Sequence, residues 1–315
     1  MIYTLTLNPA VDKTVTIPGF TPGAVNRIIS LRRDVGGKGI NVSKCLQKLG
    51  TASAAAGFFG GDEGDRAAQE LENSGIETIP VLIPGKIRTN LKIVDPDRGE
   101  VTDINEPGPE VDPVDWSVLE HKLSTRLKAG DLLILSGSLP RGMEPETYRD
   151  LAEKYAARGV DVMLDCDGRS LKLGLEGKPM LVKPNVQERS GAVGRPLSTR
   201  QQIREAAREL IGRGVGSVLV SMGRGGAMLV TPGGIWEADG VIVSMGSTVG
   251  AGDAMVAAMA IARERKLEPK KALALAVAAA TASVMCSGTQ PPEAQTVKNL
   301  YIQVKVVQIQ QQEPK

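Results

Sequence analysis

Hydrophobic positions in this chain follow two periods, and the two are distributed unevenly. From Leu132 onward, Leu132-Leu133-Ile134-Leu135, Val160-Asp161-Val162-Met163-Leu164, Met180-Leu181-Val182, Val218-Leu219-Val220 and Ala227-Met228-Leu229-Val230 read as buried strands. Helical spacing separates or follows them, from Pro145 to Arg158, Arg200 to Arg213, Ala254 to Arg265 and Pro269 to Met285. Strands alternating with helices predict a mostly parallel sheet covered on both faces. The first part breaks this rhythm. Ile2 to Leu7 is a strand stopped by Asn8-Pro9, Asn41 to Leu49 and Glu63 to Ser74 are helices, and Ala54 to Phe58 is a buried strand. Val15-Thr16-Ile17 and Asn26 to Leu31 alternate between Pro-Gly turns, and Leu91-Lys92-Ile93-Val94 and Glu100 to Ile104 flank the turn at Asp95 to Gly99. These hairpin-rich pieces predict a small β subdomain set against the main sheet.

The chain is long enough for a sizeable core at 315 residues, 42% of them hydrophobic, but with only 3% aromatics that core rests on aliphatic side chains. A net charge of +2 gives no electrostatic footing for nucleic acid or an anionic membrane. Cys45, Cys166 and Cys286 lie far apart with no C-x-x-C pair, which argues against a disulfide framework or zinc site and for a reducing cytoplasm. The N-terminus lacks the pattern of a signal peptide, and Ala272 to Met285 is too short for a membrane span. His121, the only histidine, sits in a polar helical pattern from Trp116 to Lys122, so neither a His-based metal site nor a Ser-His-Asp triad is expected.

The strongest chemical signal is Thr248-Val249-Gly250-Ala251-Gly252-Asp253, immediately before an apolar helix. Glycine backbone at a helix start can approach an anion, and the unpaired N–H groups and helix dipole favour negative charge there. Asp253 beside such a pocket can take a proton from an attacking hydroxyl, which suggests phosphoryl transfer to an alcohol. Gly36-Gly37-Lys38-Gly39-Ile40-Asn41 is either a close approach to a polar ligand or a tight turn with Asn41 as helix cap. Asp12, just past the first strand, either holds hydroxyls at a strand's carboxyl end or stabilises a turn. Arg88, which opens Arg88-Thr89-Asn90, and Arg27 match phosphate geometry or are solvated strand residues. Lys183-Pro184-Asn185 and Glu188 follow a buried strand, where Glu188 could orient the water shell of Mg²⁺. Ser221-Met222-Gly223-Arg224-Gly225-Gly226 either passes under nucleotide phosphates or forms a glycine-rich hairpin. The P-loop, the dinucleotide fingerprint and the protein-kinase motifs are all absent.

In order along the chain, Asn8-Pro9-Ala10-Val11-Asp12, the Gly36–Asn41 run, Arg88-Thr89-Asn90, Ser136-Gly137-Ser138-Leu139-Pro140, Lys183-Pro184-Asn185, Ser221-Met222-Gly223 and Val249 to Asp253 resemble the ribokinase-like (PfkB) sugar kinases, in the branch of 1-phosphofructokinase and tagatose-6-phosphate kinase. Arg141 stands where that branch usually has proline, and Ser247-Thr248 is closer to some 6-phosphofructokinases. The resemblance implies an α/β fold, a ribokinase-like three-layer sandwich whose mostly parallel doubly wound sheet carries a small β-sheet lid. The expected organisation is one kinase domain over 1–315, with the lid formed by about 12–34 and 87–106.

It implies Asp253 as catalytic base and Gly250, Ala251 and Gly252 as anion hole. Asp12, Gly36, Gly37, Lys38, Asn41, Asn90 and Ser136 would hold the sugar phosphate, with Arg27 and Arg88 on its phosphate from the lid side. Lys183, Asn185, Ser221, Gly223, Gly226, Thr248, Gly250 and Gly252 would serve ATP, and Glu188 would serve Mg²⁺ through water. The expected reaction is ATP-dependent phosphorylation of fructose 1-phosphate to fructose 1,6-bisphosphate. Tagatose 6-phosphate and fructose 6-phosphate are the alternative substrates, and a nucleotide-binding regulatory protein is the alternative of a different class. The expected assembly is a cytoplasmic homodimer formed through the lid, with no nucleic-acid or membrane partner.

Overall fold

The computed structural model of the chain describes residues 1–184, 197–244, 247–286 and 288–309. Among the described residues, ten strands form one sheet in the order β14-β13-β12-β11-β10-β9-β8-β1-β4-β5, with ranges as follows. From β5 (Glu77–Ile83) through β4 (Ala54–Gly60), β1 (Ile2–Thr6), β8 (Leu132–Ser136), β9 (Asp161–Asp165) and β10 (Leu181–Val182) to β11 (Val218–Ser221), every pairing is parallel. β12 (Ala227–Thr231), β13 (Gly234–Ala238) and β14 (Val306–Ile309) then extend one edge antiparallel.

Both faces of the parallel part are covered, which is why its strands are continuous apolar runs rather than alternating ones. On one face, Leu133, Leu135, Val162 and Leu164 pack with Leu119, Leu123, Tyr148, Leu151 and Leu210 from helices Pro113–Arg126, Thr147–Ala156 and Arg200–Gly212. On the other, Ile134, Met163, Leu181 and Leu219 meet Val42 and Leu46 of helix Lys38–Lys48 and the nearly all-apolar helices Ala251–Glu264 and Pro269–Val284. A helix apolar all round needs burial on more than one side, and these two supply it by packing on each other as well as on the sheet.

A separate sheet of order β3-β2-β6-β7 contains β2 (Ala10–Thr16), β3 (Ser30–Gly36), β6 (Arg88–Asp95) and β7 (Glu100–Asn105). β2 follows β1 after Leu7-Asn8-Pro9, so the chain passes straight from the central strand into the small sheet.

Several expected elements shift or lengthen: the strand at Val15–Ile17 runs over Ala10–Thr16, the one at Leu91–Val94 over Arg88–Asp95, and the helix expected from Ala254 begins at Ala251. The strand expected over Asn26 to Leu31 runs over Ser30–Gly36 instead. Asn26 is spent on a loop, accepting from the Thr21 amide and donating to the Thr21 and Ala24 carbonyls. The helix expected from Asn41 begins at Lys38, so Asn41 lies inside the helix and is not its cap. The polar pattern around His121 belongs to the longer helix Pro113–Arg126, capped by Asp112 on the Val114 and Asp115 amides with proline in its first turn.

Candidate active site

Chain segments leaving the carboxyl ends of β1, β9, β10 and β11 converge on one cavity of about 1200 Å³ between the main sheet, the small sheet and the start of helix Ala251–Glu264. This is where an open α/β sheet binds ligands, because its crossovers leave a crevice at those strand ends. Asp12, Gly37, Lys38, Asn41, Arg88, Asn90, Lys183, Ser221, Gly223, Gly226, Thr248 and the Gly250–Asp253 run all line it.

Asp253 is the third residue of its helix and is buried. Its Oδ2 accepts a 2.8 Å hydrogen bond from Asn41 Nδ2. Burial, followed by the charge of Asp165, pushes its pKa up to about 7, although the Asn41 hydrogen bond, Lys38 and Lys183 pull the other way. A carboxylate poised there is suited to accept a proton near neutral pH. Gly250 caps the helix in the left-handed region at φ 81°, and Gly250, Ala251, Gly252 and Asp253 all line the cavity, so the first-turn amides, which a helix start leaves without intrahelical partners, border that space. A Cβ on Gly252 would stand 3.1 Å from Lys183 Nζ. The helix start and a buried lysine therefore face the same space.

Opposite that helix start is a charge cluster. Asp165, at the end of β9, meets Lys183 Nζ at 3.3 Å and Lys38 Nζ at 3.4 Å, both through Oδ1. Burial opposes its charge, but the two lysines outweigh burial and hold the carboxyl below its ordinary range. Sequence reasoning missed Asp165. The signal available was a carboxylate at the carboxyl end of an unbroken apolar strand, and its meaning appears only when lysines distant in sequence arrive beside it.

The small sheet forms the third wall. Asn90 Nδ2 donates to Asp12 Oδ1 at 2.9 Å, and burial raises the Asp12 pKa despite that bond and the nearby Arg88. Gly36 does not line the cavity. It backs Asp12, since a Cβ there would fall 2.0 Å from Asp12 Oδ2. Gly37, at φ 114°, lets the chain pass Thr6 and Pro9, where a Cβ would clash at 2.7 and 3.2 Å. Arg88 Nε donates to the Asn8 carbonyl at 3.1 Å, and Asn8 in turn donates to Ser138 Oγ at 3.3 Å.

Besides Gly36, two other expected residues do not line the cavity. Ser136 is fully buried beneath the cavity, paired in register with Asp165. Arg27 is exposed in the loop between β2 and β3 and is not among the lining residues, because the strand expected to carry it starts three residues later. Asn185 and Glu188 lie outside the described residues. The cavity also has an apolar wall from Val241, Ile242, Val243, Val277, Ala280 and Val284, suited to a flat apolar ring system and not foreseen from sequence.

Comparison with known proteins agrees along nearly the whole chain. Residues 5–296 match the pfkB family carbohydrate kinase model. The chain is 43% identical over 278 residues to a 1-phosphofructokinase of Rhodobacter capsulatus, covering 88% of each chain. It is 36% identical over 283 residues to that of Escherichia coli strain K12, covering 90% of each. Among solved structures, phosphofructokinase-2 from Escherichia coli in complex with substrates and products superposes with a TM-score of 0.92 at 30% identity, over 96% of this chain and 98% of that one. A possible 1-phosphofructokinase from Thermotoga maritima gives 0.88 at 28% identity, over 98% of this chain and 100% of that one.

Proposed function

The chain belongs to the pfkB family of carbohydrate kinases, and from that membership we propose that it transfers the terminal phosphate of ATP to the C6 hydroxyl of fructose 1-phosphate, giving fructose 1,6-bisphosphate. The observation that carries the reading is Asp253, a buried carboxyl with its pKa raised to about 7 at a glycine-lined helix start, facing two lysines. In the transfer, the acceptor oxygen attacks the γ-phosphorus and Asp253 takes its proton. The bond from phosphorus to the bridging oxygen breaks, and ADP leaves with that electron pair. Little covalent chemistry falls to the protein, so alignment and charge stabilisation carry the rate. The amides at Gly250–Gly252, with Lys183 and Lys38, supply positive potential where charge spreads over the equatorial oxygens.

Asp12 and Asn90 are assigned to the ring hydroxyls and Arg88 to the existing phosphate. The apolar wall with Ser221, Gly223 and Gly226 is assigned to the nucleotide. Mg²⁺ would supply positive charge against the phosphates of the nucleotide there. Asp165 Oδ2 fits its hydrated shell, as a buried carboxylate oxygen on the cavity wall with no hydrogen-bond partner among the described residues.

The small sheet is assigned as the lid. Val25, Ile28, Ile29, Leu31, Val101 and Ile104 on or beside it are each more than half exposed, an apolar surface suited to a second copy of the chain. The free cysteines fit the cytoplasm, and no described helix is long and apolar enough to cross a membrane.

The test is ADP release from the purified chain with ATP and Mg²⁺ against fructose 1-phosphate, tagatose 6-phosphate and fructose 6-phosphate. A kcat/KM highest for fructose 1-phosphate is expected. Preference for either 6-phosphate overturns the substrate assignment, and no sugar-dependent ADP release, as a regulatory protein would give, overturns the reading as a kinase.

A further inference from the structure

We propose that Lys92 is a phosphate-contacting residue, brought by the small sheet to the group in transfer. The inference rests on the kinase reading above and adds a residue that reading does not use. β6 works as a ruler along the cavity. Arg88, Asn90 and Lys92 are alternate residues of one strand, share its inner face, and all line the cavity. At about 3.3 Å of rise per residue, Arg88 and Lys92 are about 13 Å apart along the strand. The strand therefore presents two cations at separate points along the cavity, with the Asp12–Asn90 pair between them.

The register assigns each mark on the ruler. Arg88 pairs with Ala10, at the end where its guanidinium holds the Asn8 and Glu106 carbonyls. Asn90 pairs with Asp12, the hydroxyl-binding pair. Lys92 pairs with Thr14, and Thr14 pairs on its other side with Arg32 of β3. This last rung stands against the loop that borders the anion hole. A Cβ on Gly288 would lie 2.9 Å from Arg32 Nη2 and 3.7 Å from Thr14 Oγ1. The next residue, Thr289, lines the cavity, and its Cα is 3.9 Å from where a Gly250 Cβ would stand. The rung carrying Lys92 is thus the one nearest the phosphate end of the nucleotide, and the rung carrying Arg88 is the farthest.

Lys92 is also held ready. Its side chain is 13% exposed, and its Nζ is paired with Asp103, the residue opposite it on β7, which is 52% exposed. A pair with a half-exposed carboxylate is weak and screened, so a phosphate oxygen can replace Asp103. The flexible four-carbon stem lets the ammonium move between the two as a point charge. While parked, it also favours the charged form of Asp12.

The test uses the full chain with ATP, Mg²⁺ and the ketohexose phosphate it turns over best, comparing wild type, Lys92→Met and Lys92→Arg after thermal melts establish that each folds. Lys92→Met is expected to lose kcat on the order of 10²-fold, with the KM for the sugar phosphate and the Kd for ATP nearly unchanged, and Lys92→Arg is expected to recover most of the loss. An unchanged kcat in Lys92→Met overturns the proposal. A loss confined to the sugar-phosphate KM also overturns it, by moving Lys92 to the existing phosphate. Wild-type turnover is the separate arm: if wild type phosphorylates no sugar phosphate, the kinase reading itself fails, whereas active wild type with unaffected variants sinks only the role of Lys92.

Discussion

Asn41 reaches Asp253 across a sequence separation of 212 residues, donating from Nδ2 to Oδ2 at 2.8 Å in a buried contact. The hydrogen bond opposes what burial and Asp165 do to the same carboxyl, so it sets how far the pKa rises. It also fixes which carboxylate oxygen remains for the acceptor proton in the proposed transfer.

Removing that restraint has a signed consequence. Asn41→Leu deletes a hydrogen bond that favours the ionised form, so the Asp253 pKa rises above its present value of about 7. Because the base acts when deprotonated, the acid limb of kcat/KM for the sugar phosphate moves to higher pH. Activity at pH 6.5 falls more than activity at pH 8.5. A pH–rate profile with an unmoved acid limb would show that Asp253 does not report that limb.

Asp253→Asn separates chemistry from stability. Turnover should nearly vanish while ATP affinity stays close to wild type, as equilibrium binding of a fluorescent ATP analogue would show. Stability should change the other way. The Asp253 pKa is raised from 3.8 to about 7 in the fold, so the native state holds a proton that the unfolded chain has already lost between those values. The contribution is therefore fully present below pH 3.8 and lost as pH rises through about 7, at up to ~1.4 kcal/mol per pH unit. The uncharged asparagine escapes this loss. The Tm advantage of the variant should be small near pH 4.5 and largest at pH 8, and an advantage independent of pH would contradict the buried-charge account.

Much of this site was readable in the sequence because its parts are contiguous. Glycines beside a carboxylate at 250–253, glycines around a lysine at 36–39 and a polar turn after an apolar strand each keep their signature in a short window. The fold class was readable for the same reason, since strands buried on both faces stay apolar at every position. What escaped were features made by pairing. Asp165 draws its meaning from Lys38 and Lys183, each on a different segment. The apolar wall uses residues such as Val277 and Ala280 that resemble core until a cavity opens beside them. Lys92 and Arg88 fall on different rungs of the small sheet, which only the register of β2 and β6 reveals. Arg27 was misplaced because the alternation through Asn26 to Leu31 looks like a strand, whereas Asn26 closes a turn there.

The two lysines depend on Asp165, which predicts a double effect for Asp165→Asn. Lys183 is buried, and losing the shared carboxylate leaves it without its charge partner, a change that costs about 3 kcal/mol or more in such settings. The same substitution removes a negative charge that raises the Asp253 pKa, so the acid limb of the pH–rate profile should move down, opposite to Asn41→Leu. Chemical denaturation and the pH profile together check both parts. A lower stability with an unshifted acid limb would mean the two carboxyls do not interact across the cavity.

Gly36→Ala tests whether Asp12 must hold its place. Gly36 has an ordinary backbone conformation, so alanine brings no φ strain, but its Cβ would arrive 2.0 Å from Asp12 Oδ2. The nearest obstacle is the far end of a side chain, which can rotate away, so the fold should survive with a modest drop in Tm. Rotation pulls the carboxylate off Asn90 and out of the position assigned to the sugar hydroxyls. Displacement by about 1 Å in a positioning group can cost on the order of 10²-fold, and here it should fall on kcat/KM for the sugar phosphate with the KM for ATP little changed. Equal losses for both substrates would place Asp12 in general closure of the cavity rather than in holding the sugar.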